Sequence, residues 1–210
     1  MVIFKSPHVD IEVPEHITTW EWAFESEKYS PLCKVAKEPP GAFIDAITGE
    51  RLDFAQLKTK ATQLCTALTR NHDFRVGDTV TIFSTNTIWY PVALWAVSRG
   101  GGRVNGASPA YNAEEMSYAL KTAKARFLIT LPKTLDVALA AAKKSGIPLE
   151  NIFLLEGQAD GVTSIQSLIE IGAQYAPSPP FKIPKDKSNK GVCGFLTFSS
   201  GTTGLPKAVE

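Results

Sequence analysis

The sequence predicts an α/β fold of repeated βαβ units, with a mostly parallel sheet and helices on both faces of that sheet. Short apolar runs alternate along the chain with longer stretches in which apolar residues recur every three or four positions, as on one face of a helix. The short runs are continuously apolar, which is typical of strands covered on both faces. The chain has 210 residues, 44% of them hydrophobic, which is enough to bury an ordinary single-domain core.

The first predicted elements are a β-hairpin and a helix. Residues 42–46 and 50–53 flank a turn in which Gly49 is expected to take a positive φ. The helix follows directly, because its apolar residues keep a helical spacing. These residues are Phe54, Leu57, Ala61, Leu64 and Leu68.

The rest of the chain continues the same alternation. The later predicted strands are 79–84, 103–105, 127–130, 151–155 and 192–198. The later predicted helices are 88–99, a helix capped by Asn112, 134–144 and 165–171. Ligands of such sheets bind beyond the carboxyl ends of the strands, so the loop after 192–198 is the place to expect a site.

That loop has the composition of a phosphate-binding segment. Glycines let the backbone approach an anion, successive amide N–H groups can point into one concavity, and hydroxyls add neutral donors. A lysine adds positive charge, and each charge-assisted hydrogen bond to a phosphate contributes roughly 1.5–3 kcal/mol. The expected nucleotide-binding residues are Ser199, Ser200, Gly201, Thr202, Thr203, Gly204 and Lys207.

The spacing of this loop disfavours a P-loop NTPase. A Walker A motif places its lysine directly after the second glycine and a hydroxyl residue after the lysine. Here Pro206 precedes Lys207, and Gly201 and Gly204 stand three positions apart. A different kind of nucleotide loop is therefore expected.

Residues 195–207, FLTFSSGTTGLPK, resemble the signature loop of the adenylate-forming superfamily. This superfamily includes acyl-CoA synthetases, 4-coumarate–CoA ligases, luciferases and peptide-synthetase adenylation domains. Residues 76–86, VGDTVTIFSTN, and 100–115, GGGRVNGASPAYNAEE, resemble further segments of the family in the same order. Within the superfamily, the residues of these segments are most similar to those of 4-coumarate–CoA ligases and fungal acyl-CoA ligases. The resemblance implies a partial N-terminal domain of the superfamily fold.

The resemblance also implies a reaction in two halves. A carboxylic acid attacks the α-phosphate of ATP, bound with Mg²⁺, and the thiol of coenzyme A then displaces AMP from the acyl-adenylate to form a thioester. The loop residues would hold the β- and γ-phosphates and neutralise the departing pyrophosphate. The branch favours aryl, cinnamoyl or medium-chain acids. These motifs assign no catalytic residue, and no metal site formed by protein side chains is expected.

The family proteins are more than twice as long as this chain. Residues 1–210 are therefore expected to form the N-terminal part of the AMP-binding domain, with 176–190 as a Pro- and Lys-rich, solvated surface connection. The rest of the large domain and the small C-terminal domain would be absent, and the chain alone would be inactive. Two alternatives remain open, a catalytically dead binding or regulatory module and an unrelated nucleotide-binding α/β protein.

Two residues depart from the family pattern. Ser108 stands where the family usually has Asn before Pro, and Ala208 stands where a glycine usually follows the lysine. If position 208 needs a positive φ, alanine would strain it by about 1 kcal/mol or more.

Composition excludes several other classes of function. A formal charge of +1 gives no reason to expect nucleic acid as a partner. Cys33, Cys65 and Cys193 are odd in number and widely spaced, so neither disulfides nor a zinc site are expected. No apolar run is long enough for a signal peptide or a membrane span, which predicts an intracellular protein. The family resemblance leaves the choice between cytoplasm and peroxisome open, and the sequence does not indicate an oligomeric state.

Overall fold

The computed structural model describes residues 13–30, 41–199 and 207–209. The helices in this part of the chain are α1 (Thr19–Phe24), α2 (Phe54–Asn71), α3 (Tyr90–Arg99), α4 (Ala113–Thr122), α5 (Leu135–Ser145) and α6 (Ile165–Gly172). The strands are β1 (Ala42–Ile44), β2 (Arg51–Asp53), β3 (Thr79–Phe83), β4 (Arg103–Ala107), β5 (Ala125–Thr130), β6 (Ile152–Leu154), β7 (Phe195–Ser199) and β8 (Lys207–Val209).

The main sheet has the strand order β6-β5-β3-β4-β7-β8. All neighbouring strands are parallel except β7 and β8, which form an antiparallel pair at one edge. β1 and β2 pair antiparallel in a separate two-stranded sheet, and Gly49 in their turn has φ +74°. The α/β fold class and the mostly parallel sheet are thus confirmed.

Side-chain capping explains where several helices begin. Asp53 and Gln56 form a reciprocal capping box at the start of α2, and Asn112 and Glu115 do the same at the start of α4. Ser164 caps α6 through the backbone N–H of Ser167. The proposed role of Asn112 as a helix cap is confirmed.

Alternate residues of the central strand β3 enter two different cores. Val80 and Ile82 pack into a large core formed with α1, α2, α3 and α6. Phe83 packs into a second core on the opposite face, formed with α4 and α5. Helices therefore cover both faces of the sheet, as expected for strands that are buried on both sides.

β7 does not match the expectation of a strand covered on both faces. Leu196, aligned with Asn105, is buried, whereas Phe195, aligned with Val104, is 43% exposed. Phe195 does not belong to the large core that contains Val104. Cys193 precedes β7, and its thiol donates to the carbonyl of Phe195 at 3.4 Å; it is not a residue of a buried strand.

The segment 176–190 contacts the large core through a buried arginine. Arg99 donates to the carbonyl of Ser178 at 2.7 Å and to its hydroxyl at 3.4 Å, while the backbone N–H of Phe181 donates to the carbonyl of Arg99 at 2.8 Å. Ser178 and Ile183 are consequently buried. This part of the segment is fixed against α3 rather than solvated along its whole length.

Candidate functional site

The two ends of the predicted phosphate loop lie side by side at the carboxyl edge of the sheet. Ser199 ends β7, Lys207 begins β8, and the two residues are direct partners in the antiparallel ladder. Such partners have Cα atoms about 4.5–5.5 Å apart and side chains on the same face. Ser199 and Lys207 are both exposed. The other predicted site residues, Ser200, Gly201, Thr202, Thr203 and Gly204, lie outside the described residues.

The charge of Lys207 is not neutralised within the described part of the chain. None of the ion pairs found there involves Lys207; they join Arg75 and Arg126 to aspartates, and Lys144 and Lys190 to glutamates. Lys207 thus places an exposed ammonium group at this edge of the sheet.

The two departures from the family pattern are explained by local geometry. Ala208 lies in β8 and pairs with Phe198, and the non-glycine residues with positive φ in the described ranges are Asp73 and Lys124. Alanine at 208 is thus not strained. The hydroxyl of Ser108 accepts from the backbone N–H of Ala110 at 3.3 Å, a turn contact that an Asn side chain can also make.

Further polar side chains lie at the carboxyl ends of β3 and β5. Lys133 Nζ donates to Thr85 Oγ1 at 3.2 Å, which links the segments that follow these two strands. Thr130 Oγ1 donates to the carbonyl of Phe83 at 3.2 Å and contacts Thr134 Oγ1 at 2.9 Å. Lys133 and Thr85 were not predicted from the sequence. Their positions within three residues of the ends of two predicted parallel strands were the available signal.

A groove of about 410 Å³ adjoins this edge between the β1–β2 hairpin and the start of α3. Its walls include Ile44, Asn86, Thr87 and Tyr90. The Tyr90 hydroxyl lies 3.2 Å from the point where a Cβ at Gly106 would stand, so glycine at this position of β4 lets the phenol approach the strand. Burial raises the pKa of Tyr90, which keeps the phenol protonated and able to donate a hydrogen bond at neutral pH.

No cluster of three or more His, Cys, Asp or Glu side chains that could hold a metal ion occurs among the described residues. Within the same ranges, no helix is long and apolar enough to cross a bilayer. The described polar side chains at the carboxyl edge include the hydroxyls of Ser199 and Thr85 and the ammonium groups of Lys133 and Lys207, which are donors suited to phosphate oxygens.

Comparison with known proteins gives matches over nearly the whole chain. The family model described as AMP-binding enzyme matches residues 34–210. The chain is 30% identical over 205 residues to the acyl-CoA ligase azaF of Aspergillus niger, covering 96% of this chain and 36% of that protein. It is 27% identical over 209 residues to 4-coumarate–CoA ligase 5 of Oryza sativa subsp. japonica, covering 99% of this chain and 35% of that protein.

A solved structure shares the fold. The anthranilate CoA ligase AuaEII, crystallised with anthranoyl-AMP, superposes with a TM-score of 0.73 at 21% identity, over 94% of this chain and 35% of that one. The chain thus spans about a third of the length of these similar proteins.

Proposed function

Because the chain belongs to the family of AMP-binding enzymes, we propose that it forms the phosphate-binding part of an ATP-dependent acyl-CoA ligase. The family match over 34–210 carries this proposal. In it, residues 1–210 are the N-terminal part of the AMP-binding domain, and 176–190 connects α6 to β7. The similarity to an acyl-CoA ligase and to a 4-coumarate–CoA ligase favours acid activation over other adenylate chemistry.

In the proposed site, the loop closed by Ser199 and Lys207 binds the β- and γ-phosphates of ATP. Hydroxyls and backbone N–H groups of Ser199, Ser200, Gly201, Thr202, Thr203 and Gly204 donate to phosphate oxygens, and Lys207 supplies the positive charge. Mg²⁺ enters with the nucleotide, since phosphate oxygens supply its preferred ligands. Neutralising charge on the departing pyrophosphate lowers the barrier to attack at the α-phosphate, without a protein nucleophile.

The substrates follow from the family chemistry. A carboxylate oxygen attacks the α-phosphorus and pyrophosphate leaves, giving a mixed anhydride; the coenzyme A thiol then attacks the acyl carbon and AMP leaves. The named substrates of the similar proteins, coumarate and anthranilate, are aromatic acids. We therefore place aryl or cinnamoyl acids ahead of medium-chain acids. A cytoplasmic or peroxisomal location is consistent with a peroxisomal ligase from Arabidopsis thaliana among the relatives.

The direct test is binding of pyrophosphate and Mg-ATP to the chain by isothermal titration calorimetry. Lys207→Ala should weaken binding at least about tenfold, the loss of one charge-assisted hydrogen bond to phosphate. Lys187→Ala is the matched control, because Lys187 is also an exposed lysine but lies before the amino end of β7. Equal affinities of the two variants, or no binding by the unmodified chain, would contradict the proposed phosphate site.

A further inference from the structure

Tyr90, the first residue of α3, carries a hydroxyl that a ligand can reach. This hydroxyl has no hydrogen-bond partner among the residues that the structure describes. It is also not one of the fully buried polar atoms that lack a partner, so it has accessible surface. Tyr90 lines the groove of about 410 Å³ at the carboxyl edge of the sheet. A ligand in this groove therefore meets a hydrogen-bonding group without a partner.

The Tyr90 hydroxyl lies over β4, on the same face of the sheet as the side chains of Ser199 and Lys207. It stands 3.2 Å from the Cβ position of Gly106. Alternate residues of a strand share a face, so Gly106 faces the same way as Val104, which is aligned with the first residue of β7. Ser199 is four residues further along β7, and its ladder partner is Lys207, so both side chains lie on this face too.

The space between Gly106 and the end of β7 is open. The last aligned pair of β4 and β7 is Asn105 and Leu196, although both strands continue beyond it. Gly106 is consequently exposed, even though β4 is an internal strand of the sheet, and Ser199 is exposed as well. A ligand held at the end of β7 can thus extend over Gly106 toward α3.

The strand spacing sets the size of a ligand that reaches both Lys207 and Tyr90. Ser199 is one strand away from Gly106 and two residues further along the common register, so their Cα atoms are at least about 8 Å apart. Lys207 is a further strand away, which puts its Cα at least about 12 Å from that of Gly106. A single phosphate held between Ser199 and Lys207 falls short of the Tyr90 hydroxyl. A diphosphate held there extends its second phosphate toward it.

The charges around the Tyr90 hydroxyl allow an anion to approach. Burial raises the pKa of Tyr90, so the phenol stays protonated and donates a hydrogen bond. Asp45 is the one charged residue among the described residues that line the groove. Its carboxylate accepts from the backbone N–H groups of Ile47 at 2.9 Å and Thr48 at 2.7 Å, within its own hairpin turn.

We propose that Tyr90 is a further binding residue for the diphosphate group of the nucleotide, and that its hydroxyl donates to the phosphate that lies away from Lys207. This inference rests on the proposed phosphate site and adds a residue to it. The site then prefers a diphosphate to a single phosphate, because only the longer anion gains the hydrogen bond from Tyr90.

The test compares pyrophosphate with orthophosphate in NMR titrations of the ¹⁵N-labelled chain, followed at the amide of Lys207. Tyr90→Phe should weaken pyrophosphate binding about tenfold, the effect of one hydrogen bond to a charged group, and leave orthophosphate binding unchanged. Tyr175→Phe is the matched control, because Tyr175 is 41% exposed and follows the end of α6. It should change neither affinity.

The possible results separate the role of Tyr90 from the phosphate site itself. If Tyr90→Phe weakens the binding of both anions equally, or of neither, Tyr90 does not bind the second phosphate, while the site of Ser199 and Lys207 stands. If the unmodified chain does not bind pyrophosphate, the phosphate site is wrong and the role of Tyr90 falls with it. Urea unfolding of Tyr90→Phe should give the midpoint of the unmodified chain within error, which shows that the variant is folded.

Discussion

Arg99 ties the segment before β7 to the large core through a single side chain. It is 5% exposed, donates to Ser178 and Cys65, and its guanidinium carbon lies 5.5 Å from the centre of the Trp20 ring. Ser178 is bonded on two sides, because its carbonyl accepts from Arg99 and its N–H donates to Thr66 Oγ1 at 3.1 Å. Four parts of the chain, α1, α2, α3 and the segment after α6, meet at this one residue.

We expect Arg99→Ala to lower the free energy of unfolding by about 2–4 kcal/mol, because it leaves the Ser178 carbonyl unpaired and opens a cavity against Trp20. Urea unfolding followed by tryptophan fluorescence measures the change. Arg75→Ala is the control, since the Arg75 side chain is 72% exposed and its ion pair with Asp73 contributes about 1 kcal/mol or less. Equal destabilisation by the two variants would disprove the role given to Arg99.

His72 makes stability depend on pH. Its ring packs edge-on against Phe153 at 4.8 Å between centroids, and burial lowers its pKa, partly offset by Glu150. The folded state therefore favours the neutral ring. The stabilisation that the neutral His72 ring gives the folded state is fully present above the unfolded pKa of about 6.5. It is lost as the pH falls from there through the lowered folded pKa.

The unmodified chain should accordingly lose more stability between pH 7.5 and pH 5.5 than His72→Phe, in which an aromatic ring remains but cannot be protonated. Urea midpoints of both proteins at the two pH values measure the difference. An identical loss in both proteins would show that His72 is not the group responsible.

At the scale of the elements, α2 and α6 approach each other through a glycine. A Cβ at Gly172 would stand 2.0 Å from the carbonyl oxygen of Gln63, which is far below van der Waals contact. A glycine at the end of α6 is thus required by the neighbouring backbone, and not by its own φ.

Gly172→Ala should lower the free energy of unfolding by about 1–3 kcal/mol, because α2 and α6 must move apart. Gly191→Ala provides the comparison: nothing lies within 4 Å of its Cβ position and its φ is not positive. The expected change for Gly191→Ala is within about 0.5 kcal/mol. Thermal or urea unfolding of both variants tests this, and similar values for the two would refute the close-contact explanation.

Most of the elements could be predicted because local signals agree with the final packing. The spacing of Leu57, Ala61 and Leu64 predicts α2, and all three are fully buried. α1 was not predicted, since six residues are too few for a periodic pattern; Thr18, which accepts from the N–H of Glu21, was the available signal. The exposure of Phe195 could not be predicted either, because it depends on which helices reach the sheet edge.

The candidate site, too, was predictable only in part. Residue types and order indicate a phosphate loop, but the pairing of Ser199 with Lys207 is a property of the antiparallel ladder, which needs both strands. The same ladder explains why alanine is acceptable at 208. Likewise, Lys133 and Thr85 come together only because β3 and β5 are neighbours in the sheet.

At the scale of the whole molecule, the chain spans about a third of the length of the ligases to which it is similar. We propose that acid and coenzyme A binding in such a ligase needs residues from the other two thirds. The purified 210-residue chain should bind phosphates and yet form no acyl-CoA thioester from ATP, coenzyme A and aryl acids. Thioester analysis by liquid chromatography, with a full-length 4-coumarate–CoA ligase assayed in parallel, decides this, and turnover by the chain alone would refute the expectation.

The position of β7 also has a kinetic consequence. β3 pairs with β4 and β5, strands that follow it closely along the chain, whereas β7 joins β4 only after the chain has passed through β5, β6, α6 and the segment held by Arg99. Closing this long loop costs more entropy than pairing strands that are near in sequence, so we expect β7 and β8 to join the sheet after β3, β4 and β5 have paired. The edge that carries Ser199 and Lys207 would then be the last part of the sheet to form.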